Sequence, residues 1–358
     1  MKPSDIIRWL ETDDPNELAR LYAQAYEVKR AHVGTTVYFR GIIEFSNICR
    51  KDCLYCGIRK ENTALKRYHM TTEEIIACAV QADELNYGSI VLQSGERQDP
   101  AFTDFVEEIL RGISRATDGR LGVTLSLGEQ SRKTLRRWFA AGAHRYLLRI
   151  ETSSETLYRK IHPQDHDYAA RRQCLGDLRR EGYQVGTGVM IGLPFQTPQD
   201  LADDILFFQQ QNIDMIGMGP YIPHQDTPLA AHCPDFDASK NLELGLKMIA
   251  LTRIMLKDVN IASTTALQSL SLQGRELGLK AGANIIMPNI TPTQYREGYQ
   301  LYDNKPCLDE NALMCRGCLE QRVASIGETI GYGQWGDSPH FHRHHLPEDT
   351  QSSVNGEQ

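Results

Sequence analysis

Nine cysteines set this sequence apart from ordinary composition, and six of them fall in two tight groups. Cys49, Cys53 and Cys56 lie within eight residues in a C-x-x-x-C-x-x-C spacing, and Cys307, Cys315 and Cys318 lie within twelve. Cys78, Cys174 and Cys233 stand apart; Cys78 and Cys174 sit in helical patterns and read as small buried hydrophobes. Asp5, Arg8, Glu11 and Asp13 break up any apolar leader, so a cytoplasmic setting without a disulfide framework is expected. Cysteine groups there point to metal or redox chemistry. Three thiolates on a short loop can hold three corners of a cubane iron–sulfur cluster, leaving the fourth iron open to a small molecule. Arg50 and Lys51 are expected to favour thiolate over thiol. Zinc would need a fourth ligand, and the nearest histidines are His32 and His69.

Such a loop needs a rigid support. After a helical stretch from Asp5 to Val28, eight short apolar runs read as buried parallel strands. They are Thr36–Phe45, Ser89–Gln93, Gly122–Ser126, Arg145–Ile150, Gln184–Met190, Asp214–Met218, Asn260–Thr264 and Asn284–Met287. Helical segments lie between them: Thr71 with Glu74 makes a capping box, and Thr197-Pro198 opens another helix. Gly142 and Gly182 stand where helix C-caps belong. Eight β-then-α units predict an α/β fold, a complete (β/α)8 TIM-type barrel, with a doubly wound open sheet as the alternative. The expected divisions are an N-terminal helical extension over 1–34, the barrel over 35–290, a C-terminal extension over 291–340 and a polar, disordered tail over 341–358.

In such a barrel chemistry gathers at the C-terminal strand ends. The first strand runs directly into the cysteine triad. The second ends Gln93-Ser94-Gly95-Glu96, the third Thr124-Leu125-Ser126-Leu127-Gly128-Glu129, and the fourth Arg149-Ile150-Glu151-Thr152. Three glutamates on adjacent strand ends beside a cysteine triad favour a ligand site over ordinary helix N-terminal charges.

The triad after the first strand of a barrel resembles the radical S-adenosylmethionine (SAM) superfamily. Closer still, Tyr38-Phe39-Arg40-Gly41-Ile42-Ile43-Glu44-Phe45-Ser46-Asn47, the triad with Gly57-Ile58-Arg59, and Val91-Leu92-Gln93-Ser94-Gly95-Glu96 resemble the FeFe-hydrogenase maturase HydE family. So do Gly219-Pro220-Tyr221-Ile222-Pro223-His224, Thr264-Thr265-Ala266 and Ile286-Met287-Pro288-Asn289, and the likeness covers roughly residues 30 to 335. The resemblance implies that Cys49, Cys53 and Cys56 ligate a 4Fe-4S cluster whose open iron chelates SAM, which is then cleaved reductively to a 5′-deoxyadenosyl radical. It implies that Tyr55 lies against the adenine, Ser94, Gly95 and Glu96 meet the SAM amino group, Glu151 the ribose and Arg171 the carboxylate, with Met287 near the adenine. Gln93, Thr124, Arg149, Thr264, Thr265, Tyr299 and Tyr302 would line a chamber for the second reactant, where Arg149 offers a planar fork to an anion.

The implied task is assembly of the diiron part of the hydrogenase H-cluster. Its implied partners are a small-molecule or organometallic substrate, a reductase or ferredoxin-type electron donor, and the other maturases. Cys307, Cys315 and Cys318 could hold a second iron–sulfur cluster, with zinc or plain thiols as alternatives. His340, His342, His344 and His345 read as a solvated tail. Biotin synthase-like sulfur insertion and methylornithine synthase-like rearrangement are the enzyme alternatives, and a non-catalytic iron–sulfur carrier is the alternative of another class. A net charge of -7 without a dense basic block argues against nucleic acid, and no apolar run is long enough for a membrane span.

Overall fold

A computed structural model describes residues 1–309 and 312–345. Each predicted run contains a strand; the first three keep close to their expected bounds and the later ones are shifted or shortened. The strands are β1 (Thr36–Ser46), β2 (Ser89–Ser94), β3 (Gly122–Ser126), β4 (Ala143–Leu147), β5 (Gln184–Thr187) and β6 (Met190–Ile191). Then follow β7 (Met215–Ile216), β8 (Gly219–Pro220), β9 (Asn260–Ile261), β10 (Ile285–Ile286) and β11 (Thr329–Ile330). The expected runs over Gln184–Met190 and Asp214–Met218 are each interrupted, and β6 pairs with β8 in a small sheet of its own.

The main sheet is parallel and runs β10-β1-β2-β3-β4-β5-β7-β9, with β11 added beside the start of β1. This corrects the expectation of a complete barrel: the sheet is a partial TIM-type barrel. Its end strands β9 and β10 share no continuous ladder and meet at the single bridge Ala262↔Ile285. The Asn284 N–H donates to Ile261 O at 2.9 Å and the Ser263 N–H to Ile285 O at 2.8 Å, flanking that bridge. The reason is strand length, since β7, β9 and β10 have two residues each and cannot support a deep ladder.

Helices cover the outer face. Thr71 and Thr197 form the capping boxes foreseen for Thr72–Glu84 and Pro198–Gln210. Gly142 (φ 114°) and Gly182 (φ 91°) take the positive φ that closes a helix ahead of a strand. Cys78 and Cys174 are buried on such helices. The N-terminal stretch is two helices, Pro3–Glu11 and Pro15–His32, because Asp14 caps a new start at Pro15. The second is tied down by an ion pair with no solvent exposure, Lys29 Nζ to Glu328 Oε1 at 2.6 Å.

The N-terminal ends of the strands are plugged by the chain near residue 336. Arg40 Nη2 and Asn260 Nδ2 both donate to Gly336 O, at 3.0 and 2.9 Å, and Arg145 Nη1 donates to Trp335 O at 2.9 Å. Residues 341–345, read as the start of a polar tail, continue the helix Pro339–His345; 346–358 lie outside the described residues. No helix among the described residues is long and apolar enough to cross a membrane.

One buried carboxyl fixes the turn after β4. Asp204 Oδ1 accepts from the Ser153 N–H at 2.6 Å, while Oδ2 has no partner. Burial pushes this carboxyl up to about 8 from an ordinary 3.8. Across that window the native state holds a proton that the unfolded chain releases, so stability falls as pH rises through it. Denaturant unfolding at about pH 5 and about pH 8 should show the unmodified protein losing stability relative to Asp204→Asn, which keeps an acceptor for Ser153 but does not titrate. Parallel pH profiles for the two proteins would contradict this assignment.

Candidate active site

The cysteine loop has almost no regular structure, so its backbone groups must find partners elsewhere. Arg67 supplies them: Nη1 donates to Asn47 O (2.7 Å) and Ile58 O (2.8 Å), and Nη2 to Arg59 O (2.6 Å), Lys60 O (3.2 Å) and Asn62 O (3.1 Å). Asn47, at the end of β1, bridges outward, its Nδ2 donating to Lys66 O at 2.8 Å and Gly298 O at 2.7 Å. Gly95 allows the loop to lie on the end of β2, since a Cβ there would meet Ile48 O at 2.4 Å and Cys49 Cβ at 2.7 Å. From the same strand end the Glu96 N–H points at Cys49 Sγ, 3.3 Å away.

Cys49, Cys53 and Cys56 line a cavity of about 310 Å³ at the C-terminal strand ends. Its wall also includes Gln93, Ser94, Gly95, Glu96, Arg149, Glu151 and Arg171, with Tyr55 beside the cysteines. Thr264, Thr265, Met287, Tyr299 and Tyr302 complete the predicted set that this cavity gathers. Thr124 is the exception. It lines a separate 30 Å³ cavity nearer the plugged end, and its hydroxyl accepts from Arg145 Nε at 2.9 Å. Cys307, Cys315 and Cys318 also lie away from this wall. Cys315 is packed in the core and Cys318 is exposed on the same helix, Ala312–Ser325. Among the described residues no three His, Cys, Asp or Glu side chains converge on a single-ion site.

The expected role of Arg50 and Lys51 in holding thiolates is not what the structure shows. Arg50 bonds to Gln98, and Lys51 Nζ is engaged by Glu129 at 3.1 Å and Glu96 at 3.8 Å. Burial raises all three thiols, Cys53 to about 12, and for Cys53 the main opposing cation is Arg171. The thiols are therefore neutral until a metal centre displaces their protons. The residues fit an iron–sulfur group that leaves one iron to a ligand. Three thiols share one wall, no fourth thiol joins them there, and the buried Thr264 Oγ1 on the same cavity has no partner.

Charge on the wall is organised in pairs. Arg171 Nε donates to Glu129 Oε1 at 2.5 Å and Nη1 to Arg149 O at 3.0 Å. Burial works against the Glu129 anion, yet Arg171 and Lys51 together hold its carboxyl below the usual range, whereas burial and the neighbouring Glu129 raise Glu96. The Arg149 fork is already turned onto Glu151 Oε2, from Nε at 3.1 Å and Nη2 at 2.9 Å. Glu151 sits at φ 67°, a costly conformation for a non-glycine residue and a common one at functional sites. Tyr55 Oη donates to His162 Nε2 at 3.1 Å, because His162 Nδ1 donates to Tyr158 O at 2.9 Å. Burial keeps that imidazole neutral.

Sequence reasoning missed three groups. Glu129 was noted as a strand-end carboxylate but not as the partner of Lys51 and Arg171. Lys305 Nζ meets the buried Glu44 Oε1 at 2.5 Å and Tyr299 O at 3.0 Å, anchoring the segment that carries Tyr299 and Tyr302 over the cavity. A glutamate inside the apolar run Ile42-Ile43-Glu44-Phe45 was the available signal. Behind Thr265, the buried Arg275 donates Nη2 to its hydroxyl at 3.1 Å, which no local pattern announces.

Arg67→Lys tests the loop support, since one ammonium has three donors and cannot span five carbonyls. The variant should unfold near the unmodified protein's midpoint yet retain less than about half of the iron after anaerobic reconstitution. Full iron content would show that the loop holds its shape without the guanidinium.

Comparison with known proteins gives this geometry a lineage. The radical SAM superfamily profile matches residues 43–208. The [FeFe] hydrogenase maturase subunit HydE of Thermotoga maritima is 47% identical over 317 residues, covering 88% of both chains. Among solved structures, methylornithine synthase (PylB) superposes with a TM-score of 0.79 at 24% identity, covering 93% of this chain and 94% of that one. The FeFe-hydrogenase maturase HydG from Carboxydothermus hydrogenoformans gives 0.78 at 20% identity, covering 93% and 76%. Those two likenesses establish the fold. The extent and level of the HydE identity, on top of a cavity lined by the cysteine triad, place the chain in the HydE family of the radical SAM superfamily.

Proposed function

We propose that this protein is a radical SAM enzyme of FeFe-hydrogenase maturation, acting in assembly of the H-cluster diiron subcluster. The observation that carries the reading is the meeting of Cys49, Cys53 and Cys56 with Glu96, Arg149, Glu151 and Arg171 on one cavity wall. A carrier would need the thiols alone. Cys49, Cys53 and Cys56 would hold a 4Fe-4S cluster, which with SAM supplies one-electron cleavage of a sulfonium to a 5′-deoxyadenosyl radical.

The chain's own contribution is binding, orientation and exclusion of water. Ser94, Gly95 and Glu96 receive the SAM amino group, Glu151 the ribose and Arg171 the carboxylate, while Tyr55 and Met287 flank the adenine. The Lys51–Glu129–Arg171 chain holds the Arg171 guanidinium in place. Gln93, Thr264, Thr265, Tyr299 and Tyr302 then face the second reactant, a small-molecule or organometallic fragment. The segment pinned by Lys305 keeps solvent from a reactive carbon centre. Thr124 is left out of this set, since its hydroxyl is spent on Arg145. The reading includes a cytoplasmic setting, where thiols stay reduced, an electron donor and the other maturases. A second cluster at Cys307, Cys315 and Cys318 is not needed for SAM cleavage.

Two substitutions test this division. After anaerobic reconstitution and reduction, Cys53→Ala should yield no 5′-deoxyadenosine, whereas Cys315→Ala should retain most of the unmodified yield. Equal loss in both would contradict the separation of the cysteine groups. Because Arg149 is bonded to Glu151, Arg149→Ala should keep the cluster but weaken SAM binding about tenfold, on the order expected for a lost charge-assisted pair. Unchanged SAM affinity by equilibrium binding would separate Arg149 from the Glu151 site.

A further inference from the structure

Arg67 supports the cysteine loop through its carbonyls, but around Cys53 the support comes from a different segment. After the helix Glu155–Ile161 the chain makes a turn, closed by the His166 N–H on Pro163 O at 3.0 Å. Residues of this turn reach the loop on both flanks of Cys53. The Asp52 N–H donates to His166 Nε2 at 3.3 Å, the Leu54 N–H to Ile161 O at 3.1 Å, and Tyr55 Oη lies 3.1 Å from His162 Nε2. Both histidines are buried, and Leu54 and Tyr55 pack on the apolar cluster that includes Leu157 and Ile161.

The partners leave each imidazole a single tautomer. Tyr158 O can only accept, so His162 Nδ1, 2.9 Å away, carries the proton, and burial keeps the ring neutral. Its Nε2 is then a lone-pair acceptor, and the Tyr55 hydroxyl must donate. At His166 the Asp52 N–H can only donate, so Nε2 is again the acceptor and Nδ1 donates to Asp165 Oδ1 at 2.9 Å. The His162 ring is also fixed in plane. It stacks on Tyr158 with ring centres 3.9 Å apart, and it stands at 88° to the Tyr55 ring. Tyr55 is thereby held at its hydroxyl as well as through the backbone beside it, on the wall that Cys53 and Cys56 share.

We propose that His162 is a positioning residue for SAM: through the Tyr55 hydroxyl it fixes the face that the Tyr55 ring turns to the cavity, while His166 holds the backbone at Asp52. The inference rests on the reading of this cavity as the SAM site. It accounts for a tyrosine ahead of Cys56. A phenylalanine ring could cover an adenine equally well, but it would leave the buried His162 acceptor unmet. It also gives the stacked Tyr158 a purpose, since that ring and its carbonyl together set the plane and the tautomer of His162.

The test separates the acceptor from the ring. Glutamine can place its amide oxygen near the position of a histidine Nε2, whereas asparagine reaches only as far as Nδ1. In anaerobically reconstituted protein, His162→Asn and Tyr55→Phe should each weaken equilibrium SAM binding about tenfold, the scale of one hydrogen bond. The double variant should lose no more than either alone, because both changes remove the same contact. His162→Gln should stay within about threefold of the unmodified protein. Iron content and unfolding midpoint are measured on the same samples, and Tyr55→Phe, the smaller change, decides if His162→Asn fails to fold or load. Unchanged SAM affinity in Tyr55→Phe, or equal losses in His162→Gln and His162→Asn, overturns the assignment. An unmodified protein that holds its cluster but binds no SAM overturns the reading of the cavity, a result seen without any variant.

Discussion

Much of the cysteine loop is gathered around a single guanidinium. Between β1 and the helix Thr72–Glu84 the chain makes no ladder of its own, and Arg67 gathers five of its carbonyls into one fork. Four of those contacts are part-buried, and an unmet buried carbonyl costs roughly 1–3 kcal/mol. The arrangement extends further: Asn47 links the end of β1 to Gly298, and the Gly57 N–H donates to Leu301 O at 3.0 Å. The thiols and the segment over the cavity are thereby set by one hydrogen-bonded unit.

Around that unit, positive and negative groups of the chain are paired with one another. Lys51, Glu129 and Arg171 form one chain, Arg149 and Glu151 another, and Lys305 and Glu44 a third. Buried charges are tolerated when paired and hydrogen-bonded, and their mutual constraint limits side-chain reorganisation on binding. The arrangement also couples functions that a residue list would separate. Arg149, expected on the second-reactant wall, and Glu151, expected at the SAM ribose, share one ion pair.

The elements that carry strong local signals were legible in the sequence. Capping boxes at Thr71 and Thr197, C-cap glycines at 142 and 182 and the apolar runs of the first three strands depend on near neighbours, and they fell where expected, whereas the later runs are shifted or shortened. The gap between β9 and β10 was not legible, because two-residue strands look the same whether or not their ladder closes. Thr124 was misplaced for a related reason: its position on β3 was right, but only the arrival of Arg145 from β4 shows that its hydroxyl points into the plugged half. Lys51 looked like a thiolate partner from its spacing. Its actual partners come from β2 and β3 ends that sequence distance conceals. Arg275, likewise, becomes visible only once two helices cross behind Thr265.

The central claim is that three thiols hold a cluster with one iron left for SAM. Electron paramagnetic resonance of the anaerobically reconstituted, reduced protein, recorded with and without SAM, tests it most directly. The account predicts a reduced-cluster signal whose g values shift when SAM is added, and no such SAM-responsive signal from Cys53→Ala. A cluster signal that SAM leaves unchanged would contradict it.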